Sequence, residues 1–319
     1  MIEIIASLTF LWNADFWIGI ALTAAIYGIF ATGLQLNIGT TGILNFGQSG
    51  FMALGAYAMG LLAVKREMSL LPAMALGIGV AIVAAVAVGL SSVRLRTDYF
   101  AIATLAFAEI VRYILNYWSD LTEGSNGLSG YSNSWQSFSV RASDWIADAG
   151  LGDHYLLPLA VVSWLVFLVA VVCVWALTRT PWGRVLEAIR EDEDGARALG
   201  KNTLLYKLQS LGIAAALAAI AGYLLAFDLA ILTPDSFDAT IAIFGVTVIV
   251  LGGLGSYLGV VVGAVILEFL LDATRFIGLP LSDDKVAGMR FVLVGCVLIA
   301  LVAFRPQGLL GKPDAVVKG

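Results

Sequence analysis

Histidine, cysteine and charge are what this 319-residue sequence has least of. Its one histidine, His154, has no cysteine or histidine companion to share a metal and no partners arranged for Ser-His-Asp chemistry. Cys173 and Cys296 each stand inside an apolar run without CxxC or CxxH spacing, so neither a metal site nor a disulfide is expected. No GxxxxGK(S/T) loop occurs: Gly200-Lys201 is followed by Asn202 and Gly311-Lys312 by Pro313, so ATP phosphates are not cradled by that motif. No cofactor and no catalytic residue are expected. The first residues, MIEIIASLTFLW, contain an acid and no basic stretch, and do not read as a cleaved signal peptide.

Charge is the most telling shortage. Asp, Glu, Lys and Arg make up 13% of the chain against 60% hydrophobic residues, about half the charged share of a soluble domain. Residues 16–64, 68–93, 155–178, 208–227, 239–267 and 291–304 contain none of the four and together span half the sequence. A bilayer-spanning helix needs about 20 apolar residues, so a soluble enzyme, a nucleic-acid binder and a disordered chain are all excluded. The runs are apolar on every side and lack the alternation of a barrel strand, which leaves helices that satisfy their own amides. The expected fold is an all-α polytopic membrane protein forming one domain over 1–319, with 8–10 transmembrane helices, at least one of them broken. Spans are placed near 16–37, 43–63, 70–93, 99–118, 154–178, 208–230, 240–252, 256–272 and 290–304.

Segment 119–153 has one basic residue, Arg141, and five acids, whereas 179–207 carries Arg179, Arg184, Arg190, Arg197, Lys201 and Lys207. The positive-inside bias makes 119–153 a periplasmic loop and puts 179–207 in the cytoplasm. Lys65 and Arg66 dissent, falling on the outer side next to Glu67.

Small residues recur every four positions at Gly255, Gly259 and Gly263, at Ala214, Ala218, Gly222 and Ala226, and at Gly77, Ala81, Ala85 and Gly89. Such faces let helix backbones approach closely in lipid. Gly252-Gly253-Leu254-Gly255 reads instead as a break or tight turn, since consecutive glycines are poor helix formers.

Candidate functional residues are few. Glu109 and Arg112 share a helix face within 99–118 and form either a structural ion pair or part of a hydrophilic path. Gln35, Asn37, Thr40, Thr41, Asn45, Gln48 and Ser49, interleaved with glycines, mark a discontinuous helix. Interhelical hydrogen bonding and a translocation path are equal readings there, and Asn45, Gln48, Thr104, Glu109 and Arg112 are the candidate path residues. Asp228 and Glu268, nearer span ends, are expected to be mostly solvated. TEGSNGLSG at 122–130 is either a surface loop or a docking site. In the segment 180–200, Pro181 starts an amphipathic helix whose narrow apolar stripe is Val185, Ile189, Ala196 and Leu199. Such a helix either lies on the lipid surface or docks into a soluble partner; so acidic a run gains little from an anionic leaflet, which favours docking, with Ile189 and Leu199 as anchors.

From 16 to 311 the sequence resembles the permease subunits of branched-chain amino acid ABC transporters. The resemblance rests on LRTDYFAIATLAFAEIVR (95–112), TEGSNGLSG (122–130), PWGRVLEAIREDEDGARALG (181–200), VLGGLGSYLGVVVGA (250–264) and FRPQGLLG (304–311), in that order. The external GSNG segment and the length resemble the longer of the two permeases. The resemblance implies a multi-pass protein of the bacterial inner membrane that forms a pathway with a sister permease. It would work with two ATP-binding subunits and a periplasmic substrate-binding protein, and Glu187, Ala188 and Gly200 would mark the coupling helix. The chain departs from the importer motif of Glu-Ala-Ala followed by glycine, with Ile189 in place of the second alanine and glycines at 195 and 200. Relatives that carry urea or short amides are the alternative substrate class. An ion-coupled secondary transporter working through Glu109 and Arg112 is the alternative mechanism, with a membrane enzyme third.

Overall fold

The structure, a computed structural model, describes residues 14–91, 97–148 and 154–276, together with 288, 292, 295–300, 303–305 and 307–311. The long helices are α1 (Ala14–Leu34), α2 (Gln48–Lys65), α3 (Leu70–Ser91), α4 (Thr97–Tyr117), α5 (Asn133–Asp148), α6 (Leu157–Thr178), α7 (Pro181–Glu191), α9 (Thr203–Leu229), α10 (Ala239–Gly252) and α11 (Tyr257–Phe276), with the short α8 (Glu193–Ala198) after α7. No strand occurs among the described residues, whose one bridge pairs Leu128 with Leu232. The all-α polytopic reading therefore holds. The ends of α1 to α4, α6, α9, α10 and α11 follow the expected spans closely, and of the ninth span, 290–304, residues 295–300 are helical while much of the rest lies outside the described residues. Five helical stretches, Ala14–Thr41, Leu70–Ser91, Leu157–Thr178, Thr203–Leu229 and Pro234–Gly252, are each long and apolar enough to cross a bilayer on their own.

At the centre stands α9, packed against α1, α2 and α3, while α1 also meets α6, α10 and α11. Small residues allow this closeness. The buried positions of α3 are Ala73, Gly77, Ala81, Ala85 and Gly89, the stripe visible in the sequence. A Cβ on Gly77 would lie 2.6 Å from the Tyr223 hydroxyl, and one on Gly222 would lie 2.4 Å from the Met52 carbonyl. Opposite that stripe α3 exposes Leu71, Leu76, Val80 and Val83, an apolar face that water would not stabilise.

The two ends of the bundle differ in charge. At the acidic end Lys65 donates to the Asp120 carbonyl (2.8 Å), Tyr131 to the Ala226 carbonyl (2.7 Å) and Tyr57 to the Leu232 carbonyl (3.0 Å). This joins the chain around 65, 120–131 and 226–232 at one end, and gives the dissenting Lys65 two acidic-segment partners, Glu123 being 3.9 Å away. His154 and Asp15 pair there as well, at 2.6 Å. The stretch 119–153, expected as a loop, is largely folded: it holds helical turns at Ser119–Thr122 and Gly124–Asn126 and the 16-residue helix α5. Stacking of Trp135 on Phe227, with centroids 5.1 Å apart, fixes α5 over the end of α9. That contact is long-range, so local turn chemistry did not reveal it.

At the basic end, α10 and α11 form a hairpin through 253–256. Gly252 and Gly259 touch backbone to backbone: a Cβ on Gly259 would sit 2.4 Å from the Gly252 carbonyl, and one on Gly263 would sit 2.3 Å from that of Val248. Gly255 is not part of this face. It lies in the turn before α11, with φ +79° and nothing near an added Cβ, so its use is the left-handed backbone that glycine alone adopts freely.

Candidate functional site

The helix break expected between 35 and 49 is built in three parts. Beyond Leu34, α1 loosens into a π-helix, Gln35–Thr41, closed by Gly42 at φ +77°. Residues 43–46 then run without helical structure to the start of α2. Burial alternates along this stretch: Ile43 and Asn45 are buried, Leu44 and Phe46 half-buried. The polar side chains hold it in place. Asn45 accepts from the Gly47 N–H (2.9 Å) and donates to Gln48 (3.1 Å), which in turn donates to the Ala214 carbonyl (2.9 Å). Thr104 accepts from the Phe46 N–H at 3.1 Å. In the π-helix, Thr41 bonds Ser210 (2.8 Å), Ser210 donates to Asn37 (2.9 Å) and Thr40 bonds Tyr257 (3.0 Å). The Gln35 amide oxygen, oriented by its neighbours, accepts from Gly255 (2.5 Å) and Ser256 (2.8 Å). The two breaks of the bundle thus meet.

Of the two readings of this cluster, interhelical hydrogen bonding is the one that the contacts of Asn45, Gln48 and Thr104 match. All three are completely buried within the chain, and their bonds brace irregular backbone that lipid would not tolerate. The exposed part of the break is Leu44 and Phe46. Phe46 borders an apolar groove of about 580 Å³ shared with Ile243, Thr247 and Val250 of α10 and Leu298. The N–H groups of Leu44 and Asn45 find no hydrogen-bond acceptor among the described residues.

Glu109 and Arg112 do pair, at 2.9 Å, and Arg112 also reaches Asp235 at 2.7 Å. No local pattern reveals this third member, because the short 3-10 turn Pro234–Phe237 and α4 are far apart along the chain. The cluster lies toward the acidic end and ties α4 to that turn. Glu268, expected to be solvated, is buried (4% exposed), and Asp228 is half-buried.

The segment 180–200 is two helices and not one. Asp192 takes an extended conformation (φ −154°, ψ 101°) and its side chain accepts from the Gly195 N–H, so it ends α7 and caps α8. Glu187, Ala188, Leu199 and Gly200 are exposed. Ile189 is not: at 4% exposure it packs inward with Leu186, while Leu199 is 82% exposed. Ile189 is therefore a core residue of this chain and no anchor for a partner. Ala196, beyond the bend, is buried too, and Leu199 alone points outward because it caps the end of α8 just before Gly200 at φ +79°. The pair is bracketed to α9 by Trp182 donating to Gln209 (2.7 Å) and by Glu193 with Lys207 (2.5 Å). Burial alone would raise the Glu193 carboxyl, but Lys207, Thr203 and Arg197 together hold it below the usual carboxylate range. Arg190 donates to the Gly39 carbonyl in the π-helix, and with Arg179, Glu187, Glu191, Trp175 and Tyr257 it lines a polar cavity of about 460 Å³. No group of three or more potential metal ligands occurs among the described residues.

FRPQGLLG also acquires a place. The Leu309 and Leu310 N–H groups donate to the Leu251 and Gly252 carbonyls at 3.0 and 2.9 Å, so this stretch straps the end of α10 next to the turn.

The chain is 33% identical over 304 residues to the high-affinity branched-chain amino acid transport system permease protein LivM of Salmonella typhimurium, covering 92% of this chain and 69% of that one. Identity to LivM of Escherichia coli K12 is 32% with the same coverage. LivH of Salmonella typhimurium, a permease protein of the same kind of system, is 28% identical over 90% of this chain and 92% of its own length. No solved structure matches. The model of the family described as branched-chain amino acid transport system / permease component matches residues 16–302, and the chain, a multi-pass membrane protein, belongs to that family.

Proposed function

We propose that this chain is the transmembrane subunit of an ATP-driven importer of branched-chain or related amino acids in the bacterial inner membrane, sharing its pathway with a sister permease. The observation that carries this reading is the α7–α8 pair. It stands outside the apolar spans, clamped on one side to the broken helix and to α9, and it leaves Glu187, Ala188, Leu199 and Gly200 open on the other. A chain without a nucleotide loop that presents such a face fits a subunit driven by separate ATPases. The basic end is then cytoplasmic, and the folded cap over 119–148 faces the periplasm and a substrate-binding protein. The apolar faces of α3 and α4 are available to lipid and to the sister permease. The half-exposed Leu44 and Phe46 and the unbonded amides between Ile43 and Phe46 are the parts of the break a solute would meet.

The Glu109–Arg112–Asp235 cluster speaks against an ion-coupled carrier, because it lies toward one end and both carboxylates are already paired with the one guanidinium. Urea or short amides stay the competing cargo, and binding of leucine or urea by the cognate periplasmic protein separates them.

Co-purification tests the docking reading. The wild-type chain should capture ATP-binding subunits, and Leu199→Asp should weaken that capture about tenfold or more, since buried apolar anchors dominate interfaces. Full capture and full uptake by Leu199→Asp would overturn it. Ile189→Asp answers a different question: it should lower the amount of folded chain.

A further inference from the structure

The break in α1 and the helices outside the spans meet at one side chain. Arg190 lies on the inward side of α7 beside Leu186 and Ile189, and its guanidinium donates to the Gly39 carbonyl. The stem of the same residue rests on Gly42, where an added Cβ would lie 3.0 Å from Arg190 Cγ and 3.4 Å from its Cα. Pushing α7 inward therefore pushes Gly42, and drawing α7 outward pulls on Gly39 through a charge-assisted bond. Both residues belong to or end the π-helix. Such turns have loose hydrogen-bond geometry and are frequent at functional sites. Immediately beyond them comes the non-helical stretch 43–46, whose outward residues are Leu44 and Phe46.

Two further polar ties of the pair lead to α9. Trp182 with Gln209, and Glu193 with Lys207, hold it to the start of α9, a continuous helix of 27 residues buried along most of its length. A push on α9 displaces a rigid body. A push through Arg190 reaches irregular backbone that can change shape.

We propose that Arg190 is a positioning residue that transmits displacement of α7 to the broken helix, and so couples ATP hydrolysis on the partners to rearrangement of residues 39–46. This rests on the reading that α7–α8 docks an ATPase.

The test uses the full complex in proteoliposomes, with leucine as the probe solute and the cognate binding protein present. Arg190→Met keeps the stem on Gly42 but removes the donor, whereas Arg190→Lys keeps a donor. The methionine variant should assemble with the ATPases in wild-type amounts and hydrolyse ATP. Its leucine transported per ATP should fall about tenfold, the scale of losing the guanidinium's charge-assisted bonding. The lysine variant should recover most of the ratio. An unchanged ratio in Arg190→Met overturns the proposal. So does loss of ATPase capture, which would make Arg190 a docking residue, and so does failure of both variants to accumulate, which would make it a folding residue. If the wild-type chain itself captures no ATPase, the docking reading has failed; if it couples normally and Arg190→Met does too, only the transmission through Arg190 has failed.

Discussion

The two helix breaks of this protein, at 35–47 and at 252–256, look alike in sequence and are built differently. Both are glycine-rich interruptions of a long apolar run. At 252–256 the glycines themselves make the structure: Gly253 and Gly255 take φ of +114° and +79°, and Gly252 lets α10 and α11 touch. At 35–47 only Gly42 needs a positive φ, and side-chain amides and hydroxyls hold the chain. A glycine turn is local and closes a hairpin. A break held by Asn45, Gln48 and Thr104 depends on neighbours more than 50 residues away, and so can respond to them.

The largest expected effect falls on the hairpin. Gly259→Leu would drive a branched side chain into the Gly252 carbonyl, 2.4 Å from the first added carbon. Backbone cannot yield there as a side chain can, so the cost exceeds the ~1–3 kcal/mol typical of overpacking. Membrane abundance should collapse, and normal abundance measured by immunoblot would mean that α10 and α11 are not in contact.

Next is the polar break. Gln48→Leu removes the bond to the Ala214 carbonyl and leaves the Asn45 amide unpaired in a site with no access to water. A loss of about 1–3 kcal/mol is expected, read as a lower Tm in detergent with assembly preserved. An unchanged Tm would show that this break is held by packing alone.

A smaller effect isolates glycine's backbone role. Gly255→Ala meets no atom within 4 Å but must hold φ +79°, which costs about 1 kcal/mol. A loss as large as that of Gly259→Leu would return Gly255 to the helix-packing face.

The smallest is a pH effect at the α8–α9 tie. Glu193 is held below the usual carboxylate range, so its bond to Lys207 stabilises above the unfolded value near pH 4.3 and is lost as pH falls through the lower folded value. Amide exchange in α8 should quicken only in that acid window, and Glu193→Gln should remove the dependence. Quickening at neutral pH would place the control elsewhere.

The long apolar helices, the small-residue faces of α3 and α9 and the existence of both breaks are legible from residue order alone, because each is a local statement about which side chains lipid accepts and which backbones glycine permits. The pairing of Glu109 with Arg112 was legible for the same reason, as one helix turn separates them. Which distant residues these elements meet follows from the packing of the helices. Asp235 joins the ion pair across 123 residues, and Arg190 reaches Gly39 across 151. Ile189 and Ala196 of the expected stripe go inward on either side of the bend at Asp192, while Leu199, past the last residue of α8, stays outside. Asn45, Gln48 and Thr104 brace the break, since whether an amide faces a cavity or a neighbouring carbonyl depends on where α4 and α9 stand, and no local pattern encodes that.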